Sequence, residues 1–160
     1  MRRIALLICL IALAAPADGA EAPPLALVPM LPLAGEPGPD IEALVGAYWQ
    51  SYWRASGFYG FGPANIRVGR WDLDGDGNDE LIILVEQPDW QSTDGKPLLV
   101  ATWENGRWKP VGWGWGDEDC VFVTSEVIDH WRTVDAGNYL LRWTSRNGYE
   151  RDRKPAPALP

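Results

Sequence analysis

Five carboxylates fall within nine residues of this chain: Asp72, Asp74, Asp76, Asp79 and Glu80, in the run Asp-Leu-Asp-Gly-Asp-Gly-Asn-Asp-Glu. Like charges this close repel one another, and glycines at 75 and 77 let the backbone curl so that a carbonyl oxygen can join the side chains. Oxygen ligands wrapped around a tight loop suit a hard cation, calcium in particular. Asp-Gly is also a common turn dipeptide, so an acidic hairpin turn without an ion is the competing reading. The twelfth position counted from Asp72 is Ile83, where an EF-hand would need a bidentate glutamate. Leu81-Ile82-Ile83-Leu84-Val85 is short, apolar and mostly β-branched or aliphatic, so the loop is predicted to open into a buried strand and not a helix.

The segment resembles the calcium loop of FG-GAP and VCBS-type repeats, the units of integrin-like β-propellers, where Asp-x-Asp-Gly-Asp-Gly-x-x-Asp-Leu leads into an apolar strand. The resemblance implies side-chain ligation by Asp72, Asp74 and Asp76, a backbone carbonyl from Asn78, and a carboxylate at the ninth position. Here that ninth residue is Glu80, one methylene longer than the family's Asp. Upstream, Phe61-Gly62 is similar to the opening of such a repeat. The chain holds a single copy of the motif. Propellers and solenoids bury their faces by stacking at least about three repeats, so the resemblance transfers a loop and not a fold.

Compartment is read from the first residues. Arg2 and Arg3 precede an apolar run from Ile4 to Ala15, and Ala15-Pro16-Ala17 offers small residues where a signal peptidase inspects the chain. Residues 1–17 are therefore expected to be a cleaved signal, giving a secreted or periplasmic product with no membrane insertion afterwards. Their removal takes two arginines from a chain of net charge −8 and leaves 12 basic against 22 acidic residues, a net charge of −10. That balance disfavours nucleic acid and anionic membranes as partners. Of two cysteines only Cys120 remains, so no internal disulfide can form, and an ion joining Asp72 to Glu80 would be the available staple.

Residues 18–39 are dominated by Pro and Ala and read as an extended linker. Asp40 has the character of a helix N-cap, and Ile41, Leu44, Val45, Tyr48, Trp49 and Tyr52 recur at helical spacing, which predicts one amphipathic helix over about 41–55. Its aromatic stripe is expected to pack on a sheet. From Ile66 onward turn signals recur about every ten residues. Asn105-Gly106 separates the clearest hairpin, Leu98 to Trp103 with Arg107 to Val111. Further strands are predicted at 121–124, 127–133 and 139–144. The expected fold is α+β but mainly β: an antiparallel meander of about six to eight strands with one N-terminal amphipathic helix, forming a single domain over 40–153 with a loose tail at 154–160.

Ten tryptophans are many for 160 residues, and most are expected to pack across strands. Trp113 and Trp115 differ, because strand alternation puts both rings on one face and the flanking glycines offer them little packing; they are the candidate ligand-binding pair, for a sugar ring or a partner's apolar groups. No catalytic constellation stands out. His130 is the only histidine, which removes multi-imidazole zinc sites, and Cys120 with His130 carries no other mark of a nucleophile and base. Glu86, Asp89, Glu104 and Glu126 could converge as a carboxylate pair of a hydrolase. The leading expectation is a non-enzymatic calcium-binding interaction or structural module. A carbohydrate or cell-wall binding module using Trp113 and Trp115, and a small carboxylate hydrolase, are the alternatives. The partner would be a protein or a polysaccharide.

Overall fold

A computed structural model describes residues 24–32, 38–55, 66–86, 93–117 and 119–155. The expected signal at 1–17 and the end of the tail lie outside these residues. The elements are β1 (Pro24–Leu27), β2 (Leu31–Pro32), α1 (Gly38–Ala55), β3 (Ile66–Trp71), β4 (Glu80–Val85), β5 (Lys96–Glu104), β6 (Arg107–Gly116), β7 (Phe122–Ile128), β8 (Trp131–Asp135), β9 (Tyr139–Thr144) and β10 (Gly148–Arg153). Among the described residues no helix is long and apolar enough to cross a membrane.

The apolar run after the acidic loop becomes β4, in which every residue is buried. Its two faces serve two cores. Ile82 and Leu84 point into the curl of the sheet beside Leu98, Val100, Val134 and Leu141. Leu81, Ile83 and Val85 lie on the other face, under Ile41, Val45 and Trp49 of α1. A strand covered on both sides loses the apolar and polar alternation of a half-exposed one, which explains why Leu81 to Val85 is uniformly hydrophobic.

The antiparallel α+β meander of six to eight strands does not form. The protein is mostly β, a single curled sheet resembling a half-barrel, with ten strands in the order β1-β7-β8-β9-β10-β6-β5-β4-β3-β2 and one helix among the described residues. The sheet is mixed, because β10 runs parallel to β6, joined at Tyr149 and Gly112. Strand periodicity reveals where strands lie but not which strand each will pair with, and here β10 docks back onto β6. The docking depends on a missing side chain: a Cβ on Gly112 would stand 2.3 Å from the Cβ of Tyr149. Gly112→Ala is therefore expected to destabilise the protein by about 1–3 kcal/mol through forced separation of β6 from β10. Gly46→Ala in α1, where nothing lies within 4 Å, is expected to be neutral or mildly stabilising. Urea midpoints of the two variants measure the contrast.

Residues 24–32, which composition assigns to a linker, supply both edge strands. β1 pairs with β7 and β2 pairs with β3, so one short stretch touches the two ends of the strand order. Leu27 and Leu31 are four peptide links apart, a span of at most about 15 Å, and the sheet must curl for both to pair. Val28 donates its N–H to the Val121 carbonyl at 2.8 Å, and Val28 and Met30 are buried in the inner core. Gly69 on β3 admits this segment, since a Cβ there would lie 2.5 Å from Val28 and 2.7 Å from Met30.

Three local readings also change. The helix begins at Gly38 and not after Asp40, so Pro39 and Asp40 occupy its first turn, where a missing N–H and a negative charge are both well tolerated. Ile41, Val45 and Trp49 of the predicted stripe are buried, and Leu44 and Tyr48 pack beside them. The strand predicted at 127–133 is broken by a turn at Asp129 and His130, both with positive φ, which separates β7 from β8. Lys154, at the start of the predicted tail, is tied to Asp135 by a 2.7 Å ion pair. The Asn105-Gly106 hairpin forms as its turn chemistry requires, with φ of 53° and 77° and Glu104 opposite Arg107.

Candidate metal centre

The acidic loop joins β3 to β4 and is closed at its base by the pairing of Trp71 with Glu80. Gly75 and Gly77 adopt φ of 78° and 90°, a left-handed geometry that glycine enters without steric cost and that bends the loop. The loop then folds its own amides onto its carboxylates. Asp72 accepts from the N–H of Gly75 at 2.7 Å and of Gly77 at 3.1 Å, and Asp74 accepts from the N–H of Asp76 at 3.0 Å. Asp76 accepts from the backbone and side-chain amides of Asn78 at 2.7 and 3.1 Å.

Glu80 is the interior member of the group. It is 2 % exposed, and its two oxygens accept from the Leu73 N–H at 2.8 Å and from the Thr102 hydroxyl at 3.0 Å. One carboxylate oxygen each from Asp72, Asp74 and Glu80 lie within 4.8 Å of one another, and no other such trio of His, Cys, Asp or Glu occurs among the described residues. The structure thus brings together three of the five loop residues singled out in the sequence. Asp76 stands outside the trio, exposed and engaged with Asn78.

The electrostatics follow from burial and crowding. Burial, reinforced by Asp74 and Asp76, pushes the Glu80 carboxyl up to about 6 against the pull of its hydrogen bonds from Leu73 and Thr102. Asp74 is raised as well, chiefly by burial and then by its negative neighbours Asp76 and Asp72, although the Asp76 amide opposes this. Asp76 is lowered, because Asn78 donates to it from backbone and side chain. Tyr149 feels the same field: burial first, then Glu80 and Asp74, hold its hydroxyl in the neutral form, and it donates to the Arg132 carbonyl at 2.6 Å.

The loop is also wired to the far side of the sheet. Leu73, between two of the acids, is fully buried in the inner core with Val134, Leu141 and Tyr149, and its carbonyl accepts from the Arg132 N–H at 2.7 Å. Thr102 on β5, Arg132 on β8 and Tyr149 on β10 carry no sequence signal that would place them here. Thr102 meets Glu80 through the β4–β5 register, in which Ala101 lies opposite Leu81, whereas Arg132 and Tyr149 meet the loop because the sheet curls.

No family model, curated protein or solved structure matches this chain.

Trp113 and Trp115 lie on β6, half-buried, with ring centres 6.2 Å apart. The edge of Trp49 from α1 meets Trp113 at 5.4 Å, and the Arg151 guanidinium covers its ring at 3.5 Å. Cys120 is exposed and precedes β7, whereas His130 sits in the turn beyond its other end. A seven-residue strand holds them roughly 20 Å or more apart, too far for a nucleophile and its base. Glu86 is paired with Arg67 and Lys96, Glu104 with Lys109, and Glu126 with Arg142. Asp89 lies outside the described residues.

Proposed function

We propose that this protein is an exported, non-enzymatic calcium-binding module in which the ion staples the β3–β4 loop to the curled sheet. One observation carries the reading: Asp72, Asp74 and Glu80 converge to within 4.8 Å while Glu80 is almost fully buried. A buried carboxylate beside two others is costly unless a cation or a proton compensates it. The similarity of the loop to FG-GAP and VCBS-type calcium loops supports the same conclusion. So does the chemistry of the donors, because a loop of carboxylates and carbonyls suits the variable oxygen shell of calcium better than the strict octahedron of magnesium. Asp72, Asp74 and Glu80 are the ligands proposed from the geometry, with Asp76 and the Asn78 carbonyl as the remaining donors suggested by the motif.

Such an ion would fix Leu73 as a plug in the inner core, and through the Leu73 carbonyl it would hold β8 to the loop. Calorimetric titration of calcium into chelator-treated protein is expected to show one site with a Kd of about 10⁻⁴–10⁻³ M, the range of extracellular modules. Asp74→Asn should weaken it at least tenfold. Unchanged affinity in that variant would sink the proposal.

The raised Glu80 carboxyl gives a pH signature of its own. Its folded value of about 6 exceeds the ordinary 4.5, so the ion-free folded state holds an extra proton between these values. The stabilisation that this proton provides is present at low pH and is lost as pH rises through 6, amounting to about 2 kcal/mol for Glu80 alone. Calcium requires the ionised form, and its affinity should therefore fall as pH drops below about 6. Urea titrations of ion-free protein at pH 4.5 and 7 are expected to show a smaller difference attributable to this site in Glu80→Gln. An identical pH dependence in the variant would remove Glu80 from the account.

A further inference from the structure

We infer that the hollow between the tip of the β5–β6 hairpin and the outer wall of the acidic loop binds a pyranose unit of a neutral glycan. The hollow measures about 630 Å³ and lies between Trp103 and Trp108 on one side and loop residues 76–79 on the other, with Asp40 of α1 at its margin. That volume falls among sites for small ligands. Trp103 is 51 % exposed, the one tryptophan among the exposed large hydrophobic residues described, and Trp108 braces it edge-on at 5.1 Å. A second hollow of about 180 Å³ runs along the same two rings toward Leu44 and Gly106. The indole is thus a braced, exposed ring that lines both hollows, and an apolar sugar face laid on it would remove that surface from water.

Charge selects the ligand class. Asp40, Asp76 and Asp79 only accept hydrogen bonds when ionised, while the Arg70 guanidinium, 5.9 Å from the centre of the Trp108 ring, only donates. An anion would meet the carboxylates. A cation would meet Arg70 already seated at the aromatic wall, and with calcium in the loop the negative field of Asp76 and Glu80 would be largely neutralised. A neutral ring of hydroxyl groups donates to the first set and accepts from the second. This deepens the calcium reading and rests on it, because the loop that would hold the ion is also one wall of the hollow. The site is distinct from the Trp113 and Trp115 pair, of which Trp113 is covered by Arg151 and met by Trp49.

The test is affinity electrophoresis of the whole protein in millimolar calcium, through gels containing xylan, galactomannan, mixed-linkage β-glucan or dextran. At least one polysaccharide is expected to retard the protein. Trp103→Ala should weaken that retardation at least tenfold with calcium affinity by calorimetry unchanged, and Asp79→Asn should weaken it about threefold. Retardation by none of the four, or retardation that survives Trp103→Ala, would overturn the inference. Calorimetry reads calcium without any glycan. Calcium binding with no retardation therefore overturns this inference alone, and absence of calcium binding overturns both proposals.

Discussion

Millimolar calcium is expected to raise the melting temperature of the chelator-treated protein by roughly 5–10 °C, and Asp74→Asn should abolish most of that rise. A site with a Kd near 10⁻⁴ M, challenged with 10 mM calcium, stabilises the folded state by about 2.7 kcal/mol, which corresponds to a shift of this size in a domain of this length. The effect should be global, not confined to the loop. Leu73 is fully buried in the inner core and its carbonyl accepts from Arg132 on β8, so releasing the loop loosens its link to β8 as well. Trp71 packs against the same core and precedes Asp72, so its emission should report the ion at the same concentrations that shift the melt. A melting temperature indifferent to 10 mM calcium would mean that the loop is an ordinary acidic turn.

Removing the N-terminal strands should have a still larger effect. A chain beginning at residue 33 lacks β1 and β2, and with them the partners of β7 and β3 at both ends of the sheet. Val28 and Met30 leave the inner core, a loss of about 3–6 kcal/mol in buried apolar surface alone. That is comparable to the whole stability of a small domain, and two unpaired edges would be opened to association. The prediction is that residues 33–160 show no cooperative thermal transition by circular dichroism, whereas residues 18–160 do. A shortened chain that melts cooperatively within a few degrees of the longer one would refute the closing role of this segment.

Several features were legible in the sequence because they depend on neighbours along the chain. The turn at Asn105-Gly106, the buried strand after the acidic loop and the apolar stripe of Ile41, Val45 and Trp49 each follow from local conformational preference or periodicity. The clustering of acids with glycines at 75 and 77 likewise marked the loop before its shape was known. The start of the helix and the break between β7 and β8 were less visible, since Asp129 and His130 turn the chain without glycine or proline.

What depends on distant residues was decided by the tertiary structure. Pro and Ala at 24–32 read as linker because edge strands need only a few backbone partners, and those partners, β7 and β3, lie far along the chain. The parallel junction of β10 with β6 follows from close contact at Gly112, a property of the pair and not of either strand. At the candidate site the sequence named Asp72, Asp74 and Asp76 as side-chain donors, Asn78 through its carbonyl and Glu80 as a longer ninth-position carboxylate, without showing which of them is buried. Burial singled out Glu80, because Thr102 arrives from β5 and the Leu73 amide turns back onto it. Likewise the sequence drew attention to Trp113 and Trp115, yet Trp49 of α1 and Arg151 pack on Trp113, and Trp103 is the exposed indole among the described residues. Local chemistry can be read from adjacent residues, but exposure and convergence are set by which surfaces the rest of the chain covers.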